Sequence, residues 1–155
     1  MFRSILVPVD YSEYSKRSVL FALELARSVG AELDVVHVWD RPSYASDAVL
    51  VRRPGEDHCS LAELIQTNAE NDMNDFLRAL SLPPDTKLGH RLLSGDPAGK
   101  LLEELRLGKH DLVVLGTHGR TGLMHLLLGS VAEKLVRLSP VPVLTVPPPA
   151  RAEGA

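Results

Sequence analysis

The sequence predicts an α/β fold, a five-stranded parallel sheet with helices on both faces. Three observations lead there. Short apolar runs alternate with amphipathic stretches in the order β-α-β-α-β-α-β-α-β, the pattern of parallel strands joined by crossover helices. The apolar runs are Val-, Ile- and Leu-rich, as strands buried on both faces are. A glycine-rich segment, Gly116 to Ser130 (GTHGRTGLMHLLLGS), lies between the fourth strand run and the last helical run. Strand, glycine loop and helix start together form an anion site: glycine lets the backbone approach phosphate oxygens, and the helix start presents unpaired N–H donors and a partial positive charge.

The elements follow in order. Ser4 to Val9 reads as a buried strand, and Asp10-Tyr11-Ser12 as turn and capping material. Val19, Ala22, Leu23 and Ala26 recur at i, i+3, i+4, i+7 and mark a helix that Gly30 stops. Leu33 to Trp39 is the second strand. From Asp40 to Ser60 no period holds, and Pro42, Pro54 and Gly55 punctuate what reads as a long excursion. Leu61, Leu64, Ile65, Met73, Phe76, Leu77 and Leu80 mark a long amphipathic helix ended by Pro83-Pro84. Lys87 to Leu93 is a third, weaker strand. Pro97 opens a short helix with Leu101, Leu102 and Leu105, closed by Gly108. Leu112 to Leu115 is the fourth strand, Val131 to Val136 the last helix, and Val141 to Val146 the fifth strand. The Pro- and Ala-rich residues 148–155 are expected to be disordered.

At 155 residues the chain is expected to form one domain, residues 1–147, followed by the tail. A net charge of −3 gives no electrostatic case for nucleic acid or an anionic membrane. Cys59 is the single cysteine, which excludes an intrachain disulfide and fits a reducing compartment. No signal-peptide pattern opens the chain, and no apolar run approaches the roughly 20 residues that span a bilayer. The expected location is cytoplasmic.

In such sheets ligands bind beyond the carboxyl ends of the strands, where the strand order reverses. In a 3-2-1-4-5 order the reversal falls between strands one and four, so that Pro8-Val9-Asp10 and the loop from Gly116 meet at one crevice. Strand five then lies at a sheet edge, and its apolar Val141, Val143, Leu144 and Val146 predict a homodimer formed by antiparallel pairing through Val141–Val146.

Four segments carry a family resemblance. Ile5-Leu6-Val7-Pro8-Val9-Asp10-Tyr11-Ser12-Glu13 resembles the opening strand of universal stress proteins. Gly95-Asp96-Pro97 resembles their loop before the third helix. Leu115-Gly116-Thr117-His118-Gly119 with Leu128-Gly129-Ser130-Val131 resembles the glycine motif of the UspA-like, ATP-binding branch, and Ser139 to Val146 the closing strand. The resemblance spans Phe2 to Pro147. It implies a Rossmann-like fold, ATP as ligand with Mg²⁺ or Mn²⁺ riding on the triphosphate, and a homodimer. It also implies that Pro8, Val9 and Asp10 border adenine and ribose and that Val38 contacts the base. It further implies that Leu115 and Gly116 lie by the ribose and α-phosphate, and that Gly119, Gly129, Ser130 and Val131 hold the phosphates by backbone N–H, with the Ser130 hydroxyl as a further donor. No metal-binding residue is named, because Mg²⁺ keeps waters and borrows few protein ligands.

Other features have competing readings. Asp10 either caps the first helix or contacts ligand, and the roles are compatible. His118 is the one candidate for catalysis, and the plainer reading is a loop histidine bonded to backbone or phosphate. Arg120 either neutralises a γ-phosphate or faces solvent. Met124 and Leu126 to Leu128 form a flap, a partner surface or, more simply, core. Glu56-Asp57-His58-Cys59 reads as a solvated loop, since adjacent residues rarely converge on one ion. Gly95 to Lys100 is not a Walker A loop: it has three residues between the glycines, and Leu101 follows the lysine. With no Walker lysine and no acidic metal dyad, the chain is expected to be a nucleotide-dependent regulatory module in a stress response. Slow ATP hydrolysis, self-phosphorylation, or binding of AMP or a cyclic nucleotide are the alternatives.

Overall fold

A computed structural model describes all residues except 40, 41, 43, 45, 53, 54, 56, 57, 118–127 and 149–155. The expectations for His118, Gly119, Arg120, Met124, Leu126, Leu127, Glu56 and Asp57 therefore lie outside the described residues. The elements are β1 Ser4–Val9, α1 Glu13–Val29, β2 Glu32–Trp39, β3 Leu50–Arg52, β4 His58–Ser60, α2 Leu61–Ala79, β5 Leu88–Ser94, α3 Pro97–Arg106, β6 Leu112–Gly116, α4 Ser130–Leu138 and β7 Val143–Val146.

The main sheet is parallel with the order β5-β2-β1-β6-β7. This is the predicted 3-2-1-4-5 order once β3 and β4 are counted. Those two strands were not expected: Asp40–Ser60 holds an antiparallel hairpin pairing Leu50 with Ser60, Val51 with Cys59 and Arg52 with His58. Strands of three residues are too short to show a period of two, so the segment reads as loop. Gly55 supplies a positive φ of 80° in the turn between them.

Two cores sandwich the sheet. On one face α1 and α2 bring Val19, Ala22, Met73 and Phe76 against Ile5, Val7, Leu33 and Val35. On the other, α3 and α4 bring Leu101, Leu105, Ala132 and Leu135 against Leu6, Val36, Val113 and Leu115. Leu128 packs against this second core, which favours the plain reading of the leucine run at that position. Alternate residues of each strand serve opposite cores, which is why the runs are apolar throughout and not alternating.

The helix ends follow local chemistry. Ser12 caps α1 by accepting from Ser15 N–H, and Gly30 closes it in the left-handed region at φ 72°. Ser60 and Glu63 form a capping box on α2. That helix ends at Ala79, before Pro83-Pro84, because Ser81 turns the chain at φ 49°.

β1 pairs with β2 along its whole length, from Ser4–Glu32 to Val9–His37. With β6 it pairs only at Ile5–Leu112 and Leu6–Val113. Beyond those positions β1 and β6 diverge, and the crevice at the point of order reversal opens between them.

Candidate functional site

The divergence of β1 and β6 leaves a cavity of about 250 Å³. Pro8, Val9 and Asp10 at the end of β1, Val38 on β2, Leu115 and Gly116 at the end of β6, and Gly129, Ser130 and Val131 at the start of α4 all line it. Of the ten residues assigned to ligand, only Gly119 lies outside the described residues. Val36, Leu101 and Ala132 add an apolar floor, and Ser15, His37 and Pro97 complete the wall. Ser15, His37 and Leu101 were not anticipated. They reach the cavity from a helix first turn, from the neighbour of Val38 and from the α3 face, placements that only the assembled sheet reveals.

Asp10 braces the turn that enters α1. Its Oδ1 accepts from Ser12 N–H at 3.1 Å, from Ser12 Oγ at 2.6 Å and from Ser15 Oγ at 2.6 Å, while Ser15 Oγ accepts from Asp10 N–H at 3.0 Å. The cap of α1 is thus Ser12, and Asp10 holds the cap in place from the rim of the cavity. Tyr11 follows at φ 65°, uncommon for an aromatic residue. That conformation turns its ring away to lie 4.1 Å from His37 and 5.3 Å from Phe76, between ring centroids. His37 Nδ1 lies 2.7 Å from the Val9 carbonyl, which can only accept, so Nδ1 carries the proton.

The opposite wall is the start of α4. Side chains cap α1, α2 and α3 through Ser12, Ser60 and Asp96. At α4 the N-cap is Gly129 and no side chain caps the helix. Among the described residues, no side chain accepts from the first-turn N–H groups of Ser130 and Val131, which line the cavity in the geometry that suits an anion. The Gly129 N–H donates to the Thr117 carbonyl at 2.7 Å, closing the loop onto itself, while the residue lines the cavity. An apolar slot with carboxylate and backbone carbonyl groups at one end and an open helix N-terminus at the other suits a ligand that is a flat ring at one end and an anion at the other.

No helix among the described residues is long and apolar enough to cross a membrane. The sequence profile of the universal stress protein family matches residues 1–147. A universal stress protein of Methanocaldococcus jannaschii is 30% identical over 150 residues, spanning 96% of this chain and 84% of that protein. The solved UspA of Lactobacillus plantarum shares the fold with a TM-score of 0.69 at 23% identity, over 93% of this chain and 97% of its own. A universal stress protein solved in complex with cAMP has a TM-score of 0.61 at 28% identity, over 94% of this chain and 97% of its own. With the strand order, the crevice and these likenesses together, the chain belongs to the universal stress protein family.

Proposed function

We propose that the chain is a nucleotide-dependent regulatory protein that binds ATP in the β1–β6 cavity. The observation that carries this reading is the pairing of an apolar slot with an uncapped helix N-terminus in one cavity of about 250 Å³. That volume lies just below the usual range for small-molecule sites and suits a nucleoside whose phosphates leave along α4. The base would lie on Val36, Val38 and Leu115, the ribose beside Asp10 and Gly116, and the phosphates against the N–H groups of Ser130 and Val131 and the Ser130 hydroxyl. Mg²⁺ or Mn²⁺ would ride on the triphosphate. The relative solved with cAMP supports an adenine nucleotide as the ligand class and favours a cyclic or monophosphate nucleotide as the second reading.

The test is to purify the protein without added nucleotide, denature it and identify released small molecules by mass spectrometry, then to titrate Mg-ATP, AMP and cAMP by calorimetry. ATP released near one per chain, or micromolar binding of Mg-ATP, supports the proposal. Tighter binding of AMP or cAMP than of ATP favours the second reading. No heat with any of the three excludes both.

A further inference from the structure

A second cavity of about 250 Å³ lies on the α2 side of the sheet, walled by Tyr11, His37 and Trp39 and roofed by Ile65, Asn68 and Asp72 of α2. Its chemistry differs from that of the first. Three aromatic side chains form the wall, and aromatic faces attract cations and alkyl chains but not anions. The Tyr11 ring is fixed between His37 and Phe76, so this part of the wall is formed in advance. The Tyr11 hydroxyl is buried and has no hydrogen-bond partner among the described residues, a state that buried polar groups normally avoid. Asp72, exposed on α2, forms no ion pair among the described residues. Asn68 and Asp72, four apart, lie on one face of the helix and line the same cavity. The carboxylate is also felt by the phenol: burial first, then the charge of Asp72, raises the Tyr11 pKa. An unpaired carboxylate and a side-chain amide lie at the mouth of a cavity walled by aromatic rings, and no cationic group among its lining residues answers the carboxylate.

We propose that this cavity binds a small organic cation, an alkylammonium whose N–H groups face Asp72 and Asn68 and whose methylenes lie on Trp39. The cavity has room for a chain of several heavy atoms, a water occupying about 30 Å³. The site is separate from the phosphate end of the nucleotide cavity and does not rest on the nucleotide reading.

Trp39 is the only tryptophan in the chain and borders both this cavity and a neighbouring one of about 660 Å³ lined by Gln66 and Glu70, so its fluorescence reports binding and the Asp72 variant assigns it to this cavity. The full-length protein is titrated with n-butylammonium chloride, with sodium chloride at equal ionic strength and n-butanol as controls, and ligand-observed NMR follows the butyl methyl signal. The expected result is a saturable change with a millimolar midpoint for butylammonium and none for either control. Asp72→Asn, an exposed and nearly isosteric change, keeps the circular dichroism spectrum and weakens butylammonium about tenfold. The proposal is overturned if butylammonium produces no saturable response by either method, if butanol titrates equally well, or if Asp72→Asn binds it as the wild type does.

Discussion

Asp10 shows how one side chain serves both fold and site. Its carboxylate sits at the rim of the cavity and also collects the Ser12 and Ser15 hydroxyls and the Ser12 N–H. Ser15 is only 7% exposed, so removing its acceptor strands a hydroxyl away from water. Asp10→Ala is expected to lower stability by about 1–3 kcal/mol, read as a lower midpoint in urea denaturation with an unchanged slope. Nucleotide affinity, measured by calorimetry under conditions where the variant is folded, should fall as well. Unchanged stability would show that the three bonds to Oδ1 are replaced by water at no cost. Backbone conformation matters on the same scale. Gly30 ends α1 at φ 72° with open space around its Cα, so Gly30→Ala meets no clash and should cost only the left-handed penalty, about 1 kcal/mol.

At the scale of elements, α4 differs from the other helices in lacking a side-chain cap, and this difference yields a test of the phosphate assignment. Gly129 has φ −67° and ψ 157°, extended geometry that any residue adopts, so its glycine is not required by backbone strain. Gly129→Asp places a capping carboxylate where the phosphate is proposed to sit. Stability should rise by a few tenths of a kcal/mol at most, because Gly is itself a fair N-cap, while Mg-ATP affinity should fall at least about tenfold through like-charge competition at the helix start. A variant that binds Mg-ATP as tightly as the wild type would remove α4 from the site. The five strands of the main sheet were legible as continuous apolar, β-branched runs and the four helices by their apolar stripes, and the order reversal at β1 and β6 was the one that a 3-2-1-4-5 order supplies. The hairpin at Leu50–Arg52 and His58–Ser60 was not legible, since three residues carry no period. The glycine motif marked one wall of the cavity. Ser15, Leu101 and the aromatic cavity under α2 were hidden because crossover connections bring them together, and no local signal encodes that. The bond from the Gly129 N–H to the Thr117 carbonyl was hidden for a related reason: it closes a loop whose path the spacing of glycines does not dictate.

Across the whole molecule, the amino ends of the strands carry a charge cluster opposite the crevice. Arg91 bridges Asp34 at 2.7 Å and Glu104 at 2.9 Å. His110, 6% exposed, lies within this group, with Nδ1 2.9 Å from Ser4 Oγ and Nε2 3.4 Å from Asp34 Oδ2. Burial lowers the His110 pKa, and the pull of Asp34 in the other direction does not overcome it, with Arg91 and Lys109 lowering it and Glu104 raising it. The folded state therefore takes up a proton less readily than the unfolded chain, whose histidine titrates at 6.5. The stability this gives is complete above that pH and is lost progressively as pH falls below it. The urea midpoint should decline below pH 6.5 in the wild type, and His110→Gln should flatten that segment of the profile, leaving the carboxylate-driven decline at lower pH. The other whole-molecule property is assembly. Among the described residues β7 ends the sheet with nothing paired beyond it, and its Val143 and Leu144 are half-buried in the single chain. On α4, which leads into that strand, Val136 and Leu138 are 51% and 57% exposed. A second copy pairing antiparallel along β7 would cover this apolar edge and the α4 residues beside it with one two-fold contact. Light scattering at micromolar concentration should give the mass of two chains for the wild type. Because Val136 and Leu138 contribute little to the fold of one chain, replacing both by lysine should yield a folded protein with the mass of one. A wild-type mass of one chain, or a double variant that still weighs two, would rule out this edge as the contact.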